Sequence, residues 1–181
     1  NTSLEDLKAN RGFVESLNKF DKISVRDKHS QDCLSVVTKK DVSLVLDPTF
    51  LLKREDYSQV ECAGPKGDYI LVYGYRSRFG QEAVGLITSF ARAKGLRLIS
   101  IGDRFDWADI NVPASPFEFL SYFRDARYVI TNTYHGTIFS IIYNKSFVTF
   151  TANEIKTNDL LKRLGLESRI YDGTVDIDDL A

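Results

Sequence analysis

Apolar positions along the chain fall into two alternating patterns. Four short runs, "YILVYGY", "LRLISIG", "RYVIT" and "FVTF", are almost continuously branched or aromatic. That is the pattern of strands covered on both faces. Between and after them lie amphipathic stretches. In "QEAVGLITSFARAK" the side chains of Val84, Ile87, Phe90 and Ala91 share one face, and Gly95 closes the helix. "SPFEFLSYF" has every start signal: Ser115 as N-cap, Pro116 at the first position and Glu118 as the reciprocal partner. "GTIFSIIYN" predicts a further helix. So does "NDLLKRL", which ends at Gly165 with Leu161 and Leu166 placed for a Schellman closure.

The first third of the chain repeats the alternation more weakly. "TSLEDLKANRGFVESLNKF" predicts a helix with Leu4, Leu7, Val14 and Leu17 on one face. Thr2 and Glu5 are placed for a capping box, and Gly12 weakens the helix. "KISVRD" and "VSLVL" predict strands flanking a helix over "SQDCLSVVTKK", with Cys33, Val36 and Val37 inward. The second strand stops at Asp47-Pro48, an N-cap and first-turn pair. "ECAGPKGD" is the most loop-like stretch and the best internal linker.

Strand–helix alternation implies βαβ units. The expected fold class is α/β: a Rossmann-like parallel sheet with helices on both faces. Residues 1–20 are read as an N-terminal helix, a linker to a missing N-terminal domain, and residues 21–181 as the Rossmann-like domain. In such sheets ligands bind beyond the carboxyl ends of the strands. The loops after "ISV", "ILVY", "LISI", "YVI" and "FVTF" are therefore the places to search.

Composition narrows the choice. The 181 residues carry 24 Lys+Arg against 25 Asp+Glu, a net charge of −1, which gives no support to a nucleic-acid partner. The two cysteines, Cys33 and Cys62, lack metal-ligand spacing and are read as two buried thiols in a reducing compartment. No apolar run reaches membrane-spanning length. No metal or cofactor is expected.

The candidate chemistry lies in "YVITNTYHGTIF". The strand runs into "NTYHGT", with Thr133 and His135, and then into a helix whose start presents backbone N–H groups that favour an anion. Gly136 would admit a ligand close to the backbone, and His135 could supply a hydrogen bond or a proton. A histidine that merely fills a gap at the domain edge is the plainer alternative. Arg26, after "ISV", suits a phosphate or carboxylate, although pairing with Asp27 or Asp21 is the common fate of such a residue. His29 is read as a surface residue and Asp47 as structural. The loop "GYRSRFGQ" is read as solvated or phosphate-binding, and Trp107 as cover for the sheet edge.

Five blocks in order, "KFDKISVRDKHS", "LVLDPTFLL", "YILVYGY", "SPFEFLSYFRDARYVITNTYHGTIFSIIYNKSFVTF" and "LLKRLGLESRI", resemble the polysaccharide pyruvyl transferase family. The resemblance implies one half of a glycosyltransferase-B-like architecture, with the active-site cleft between this half and an absent N-terminal domain. It implies a transferase that moves the enolpyruvyl part of phosphoenolpyruvate onto sugar hydroxyls of a cell-surface glycan or lipid-linked sugar. As an isolated stretch it is expected to be inactive. It implies a cytoplasmic setting, with the glycan machinery as the link to the inner face of the membrane. His135 matches the family's His-Gly histidine, a proton donor or phosphate ligand, and Arg26 its arginine after the strand. Thr137 belongs to the same helix start. Thr133 stands where some members carry an arginine. "TANEIKTND" replaces an Arg-Gly segment, with Lys156 as its one cation. The alternatives are the donor half of a nucleotide-sugar glycosyltransferase and a non-catalytic glycan-binding domain.

Overall fold

The computed structural model describes residues 3–151 and 154–173, and its strands divide between two parallel sheets. The larger has the order β5-β4-β3-β6-β7, from Ile110–Val112 (β5), Arg97–Gly102 (β4), Tyr69–Gly74 (β3), Tyr128–Thr131 (β6) and Ser146–Thr149 (β7). Every pairing is parallel. The sequence pattern anticipates four of these strands and misses β5. That edge strand is only three residues long and largely exposed, so it carries no apolar run to read.

Alternation along β3 explains the layers. Ile70 and Val72 pack toward Gln81–Lys94 (α5), with Ile87, Phe90 and Ala91 buried beneath it. Tyr69 and Leu71 point the other way, into a cluster with Leu120 and Phe123 of Pro116–Asp125 (α6). Tyr134–Ile142 (α7) and Ile155–Arg163 (α8) contribute Phe139 and Leu161 to that second face. The Ser115–Glu118 capping box is present. At the end of α8, Gly165 has φ 67° and Leu166 N donates to Leu161 O at 2.8 Å, the expected closure.

The smaller sheet pairs Ile23–Val25 (β1) with Val42–Leu44 (β2). These strands do not join the main sheet. With Leu4–Ala9 (α1), Arg11–Leu17 (α2) and Lys28–Val37 (α3) they form a separate layer around Leu17, Ile23 and Val42. The first helix breaks at Asn10, whose side chain accepts from Phe13 N, rather than at Gly12. Ser3 and Asp6 form the capping box instead of Thr2 and Glu5; Thr2 lies outside the described residues. Leu34 and Val37 face the sheet beside Cys33, but Val36 is 59% exposed, because it lies on the opposite side of Cys33 from Leu34.

After β2 come one 3₁₀ turn, Pro48–Leu51, and Arg54–Tyr57 (α4). The stretch read as a linker is docked. Glu61 accepts from Arg124 and from the Tyr143 hydroxyl, each at 2.7 Å, and Ser121 donates to Cys62 O, although Cys62 itself is exposed on this surface segment and only Cys33 is a buried thiol. Among the described residues, no helix is long and apolar enough to cross a membrane.

Candidate functional site

The strand order reverses at β3. The chain leaves β3 through α5 to β4 on one side, and leaves β6 through α7 to β7 on the other. The crevice between the carboxyl ends of β3 and β6 is therefore the topological switch point, where open α/β sheets bind ligands. Asn132, just past β6, bridges it. Its Oδ1 accepts from Tyr75 N at 2.8 Å and its Nδ2 donates to Tyr75 O at 3.0 Å. Gly74 is required here, since a Cβ would lie 2.8 Å from Asn132 Cγ. No local signal in the sequence marks Asn132, because its partner is 57 residues away.

The start of α7 is built on threonines. Thr133 is the N-cap, accepting from Gly136 N at 3.0 Å, and Thr131 Oγ1 accepts from Thr133 N at 3.1 Å. Thr137 donates to Thr133 O and shares a hydrogen bond with Thr149. Thr133, Gly136 and Thr137 are all buried. Gly136 is thus explained by packing rather than by the approach of a ligand: a Cβ would stand 2.7 Å from Thr133 Oγ1 and 2.9 Å from Thr131 Cβ. Its N–H and that of Thr137 are already bonded within the helix start. The backbone amides left to face an anion are those of Tyr134 and His135, the first two of the helix.

His135 is exposed, one residue into α7. Its ring stands edge-on to Tyr134, with centroids 5.5 Å apart. Tyr134 also carries the Arg26 guanidinium over its face at 4.7 Å. Arg26 and His135, 109 residues apart in sequence, therefore meet at one aromatic ring. The layer of β1 and β2 reaches this ring because α8 ties it down: Arg163 donates to the carbonyls of Arg26 and Val45. The Tyr134 hydroxyl is buried without a hydrogen-bond partner among the described residues. Burial, with Asp47 adding to it, pushes this hydroxyl up to about 12.

Arg26 pairs with Asp47 at 2.5 Å, not with Asp27 or Asp21. Asp27 instead caps α3 by accepting from Ser30. Asp47 does cap the 3₁₀ turn through Thr49, as a structural residue should, but it also orients Arg26. Lys156, near the start of α8, shares a cavity of about 310 Å³ with Arg26, Asp27 and Pro48. His135 is not among the residues lining that cavity. Lys156 also lines a second cavity, of about 350 Å³, with His29 and Cys33.

The arginines of the "GYRSRFGQ" loop have acidic partners. Arg76 pairs with Asp106 at 2.8 Å and Arg78 with Glu154 at 3.6 Å. Trp107 packs on Phe79 and Phe105 beside the sheet. Among the described residues, no group of three or more His, Cys, Asp or Glu could hold a metal ion.

The pair gives a pH-dependent expectation. Burial raises the Asp47 carboxyl, but the Thr49 hydroxyl and amide together with Arg26 outweigh it and hold the group below the usual carboxylate range. Below the ordinary range the unfolded chain binds the proton that the folded chain resists. Asp47 therefore stabilises the fold fully above about pH 4, and that contribution disappears as the pH falls through its folded value. Asp47→Asn should cost about 1–2 kcal/mol at neutral pH, since Arg26 is partly screened by water. The difference in melting temperature between the two proteins should shrink on acidification to pH 3. A constant difference across that range would remove the ion pair from the account.

The sequence model described as polysaccharide pyruvyl transferase matches residues 8–154. No curated protein matches the chain in sequence. Among solved structures the chain is similar to UDP-GlcNAc 2-epimerase from Methanocaldococcus jannaschii, determined in complex with UDP-GlcNAc and UDP. The identity is 12% and the TM-score 0.53, covering 78% of this chain and 48% of that one. At that identity the likeness concerns the fold alone, and this chain spans about half the length of that structure.

Proposed function

The chain belongs to the polysaccharide pyruvyl transferase family, and on that premise we propose that it supplies the donor side of an enzyme that moves the enolpyruvyl group of phosphoenolpyruvate onto glycan hydroxyls. The observation that carries the reading is the meeting of Arg26 and His135 at Tyr134, beside the free amides of α7. Phosphoenolpyruvate carries a phosphate and a carboxylate on three carbons. A guanidinium held at one edge by Asp47 keeps other N–H groups for such an anion. Lys156 adds a second cation in the cavity that it shares with Arg26.

The reaction needs a proton on the methylene carbon, which makes the neighbouring carbon cationic and open to a sugar hydroxyl. The first hydroxyl loses its proton as it adds, phosphate leaves as hydrogen phosphate by taking up one proton, and a second hydroxyl closes the ketal and releases its own. His135, exposed in the first turn of α7 beyond the carboxyl end of β6, is the group assigned to give the first proton or to hold the departing phosphate. Thr133 acts indirectly, by fixing the start of α7. An N-terminal domain would form the opposite wall of the cleft, exclude water and present the acceptor. A soluble donor and a lipid-linked acceptor would place the reaction at the cytoplasmic face of the membrane.

The test is release of inorganic phosphate from phosphoenolpyruvate by a transfer-competent chain containing this sequence, with glycan acceptors present and absent. Acceptor-dependent release with a ketal product is expected; none with any glycan would overturn the reading. Arg26→Lys should raise KM for phosphoenolpyruvate by about 10-fold, since a point charge cannot replace a bidentate fork. An unchanged KM would leave Arg26 with its ion pair alone.

A further inference from the structure

A third cavity, of about 450 Å³, is lined by none of the residues of the donor site. Its size is within the range of small-ligand sites, roughly 300–1,000 Å³. It lies beyond the carboxyl end of β7, between the first turn of α5, α8 and the segment that returns along β7 after α8. That segment is fixed by Tyr171 N donating to Thr149 O at 3.0 Å.

The lining has a distinct chemistry. Tyr171 is partly exposed and stacks on buried Phe150, with centroids 4.6 Å apart and planes 35° apart. Phe150 is itself braced by Phe79 at 5.5 Å. The tyrosine is therefore a rigid aromatic platform. Around it stand Glu82, Asn158, Arg78 and Thr151. Asn158 Oδ1 is enclosed and has no hydrogen-bond partner among the described residues. An acceptor left so is costly, and rotation about the soft terminal torsion of asparagine would turn it to a donor in the cavity.

These groups favour a neutral polyol over an anion. Arg78 is the cation of the lining, and its charge is already met by Glu154 and by the carbonyl of Asn132 at 3.3 Å. Glu82 and the Asn158 oxygen both seek donors, and the Glu82 carboxylate repels an anion while Arg78 is already paired. A sugar hydroxyl donates once and accepts twice, so it can satisfy Glu82 or Asn158 while accepting from Arg78. Its ring C–H face suits an aromatic platform. Through Asn132 O, Arg78 also links this cavity to the residue preceding the N-cap of α7.

We propose that the cavity between Tyr171, Asn158, Glu82 and Arg78 binds a neutral pyranose ring, and that this ring is part of the acceptor glycan. Only the second clause rests on the pyruvyl-transfer reading. The acceptor would then approach the start of α7 from the β7 side, while the donor lies on the β1 side.

Saturation-transfer NMR on the 181-residue chain tests this, with a panel of neutral hexoses, N-acetylhexosamines and their disaccharides. Inorganic phosphate and phosphoenolpyruvate serve as anionic probes. At least one neutral saccharide should show transfer, strongest at protons on one ring face. Tyr171→Ala should weaken that binding by about 10-fold, the scale of an aromatic contact. Glu82→Gln, on the exposed first turn of α5, should weaken it less while leaving the fold intact. It keeps the proposal testable if Tyr171→Ala fails to fold. Arg26→Lys should leave saccharide binding unchanged. Silence across the neutral panel, binding insensitive to both cavity variants, or phosphate binding that Arg78→Ala abolishes would each overturn the proposal. Loss of saccharide binding with phosphoenolpyruvate still bound would condemn this cavity alone. The converse would condemn the donor site and leave the cavity standing.

Discussion

Replacing His135 with alanine should lower pyruvyl transfer at least about 100-fold, the usual scale for losing a general acid, while leaving the fold intact. The fold should survive because the ring is exposed and His135 adds no buried area to the core. Alanine is also the better helix former at this position. The loss should fall mainly on kcat, because in the proposed mechanism the proton is needed in the transition state, whereas Arg26 and the helix start are assigned to donor binding. Parallel measurements of melting temperature and of kcat with saturating phosphoenolpyruvate check this. Turnover within a few-fold of the parent would remove His135 from the chemistry and leave it as an edge residue packed on Tyr134.

Gly136→Ala is expected to do the opposite: damage the fold first and the activity through it. On helix propensity alone the change would stabilise by about 1 kcal/mol. The new Cβ, however, would meet Thr133 Oγ1 at 2.7 Å and Thr131 Cβ at 2.9 Å, and would press closer still on Thr131 Oγ1. These threonines cannot step aside. Both are buried, both are branched at Cβ, and each hydroxyl is already used by the other and by the backbone. Overpacking of this kind costs about 1–3 kcal/mol or more, so the clash outweighs the propensity gain. With contacts this short the clash stands at the upper end of that range, about 3 kcal/mol, and the net loss of about 2 kcal/mol lowers the melting temperature by about 4–8 °C in a chain of this size. Because the strain falls on the N-cap, the amides of Tyr134 and His135 should shift with it, and donor binding should weaken. A melting temperature equal to or above the parent's would show that the helix start yields where the geometry says it is rigid.

The parts of the fold that the sequence pattern anticipates are those set by local physics. Ser115, Pro116 and Glu118 specify a helix start within four residues, and Gly165 with Leu161 and Leu166 specifies an end; both stand as read. Buried strands such as β3 show themselves as continuous apolar runs. What escaped was set by partners far apart in the chain. Nothing within "KISVRD" or "VSLVL" says which sheet a three-residue strand will join, and the two pair with each other. The same holds for Glu61, whose ion pair with Arg124 turns an apparent linker into a docked segment.

The candidate site divides in the same way. His135 and Arg26 could be chosen because each follows a strand on the ligand side. Their meeting at Tyr134 could not be read, since it depends on Arg163 holding β1 and β2 against α7. Asp47 looked like a cap, and it is one, yet its second bond to Arg26 spans 21 residues. Gly136 was legible as a residue that needs no side chain, but the reason lies in two buried threonine hydroxyls rather than in a ligand.

The central claim is that the ring of Tyr134 marks an anion site made for phosphoenolpyruvate. Titration calorimetry of the 181-residue chain against phosphoenolpyruvate and against a panel of nucleotide sugars, repeated with Arg26→Ala, tests it most directly. Phosphoenolpyruvate should bind, inorganic phosphate should compete, Arg26→Ala should weaken binding by about 10-fold or more, and the nucleotide sugars should give no heat. Saturable binding of a nucleotide sugar, with phosphoenolpyruvate silent or indifferent to Arg26, would contradict it.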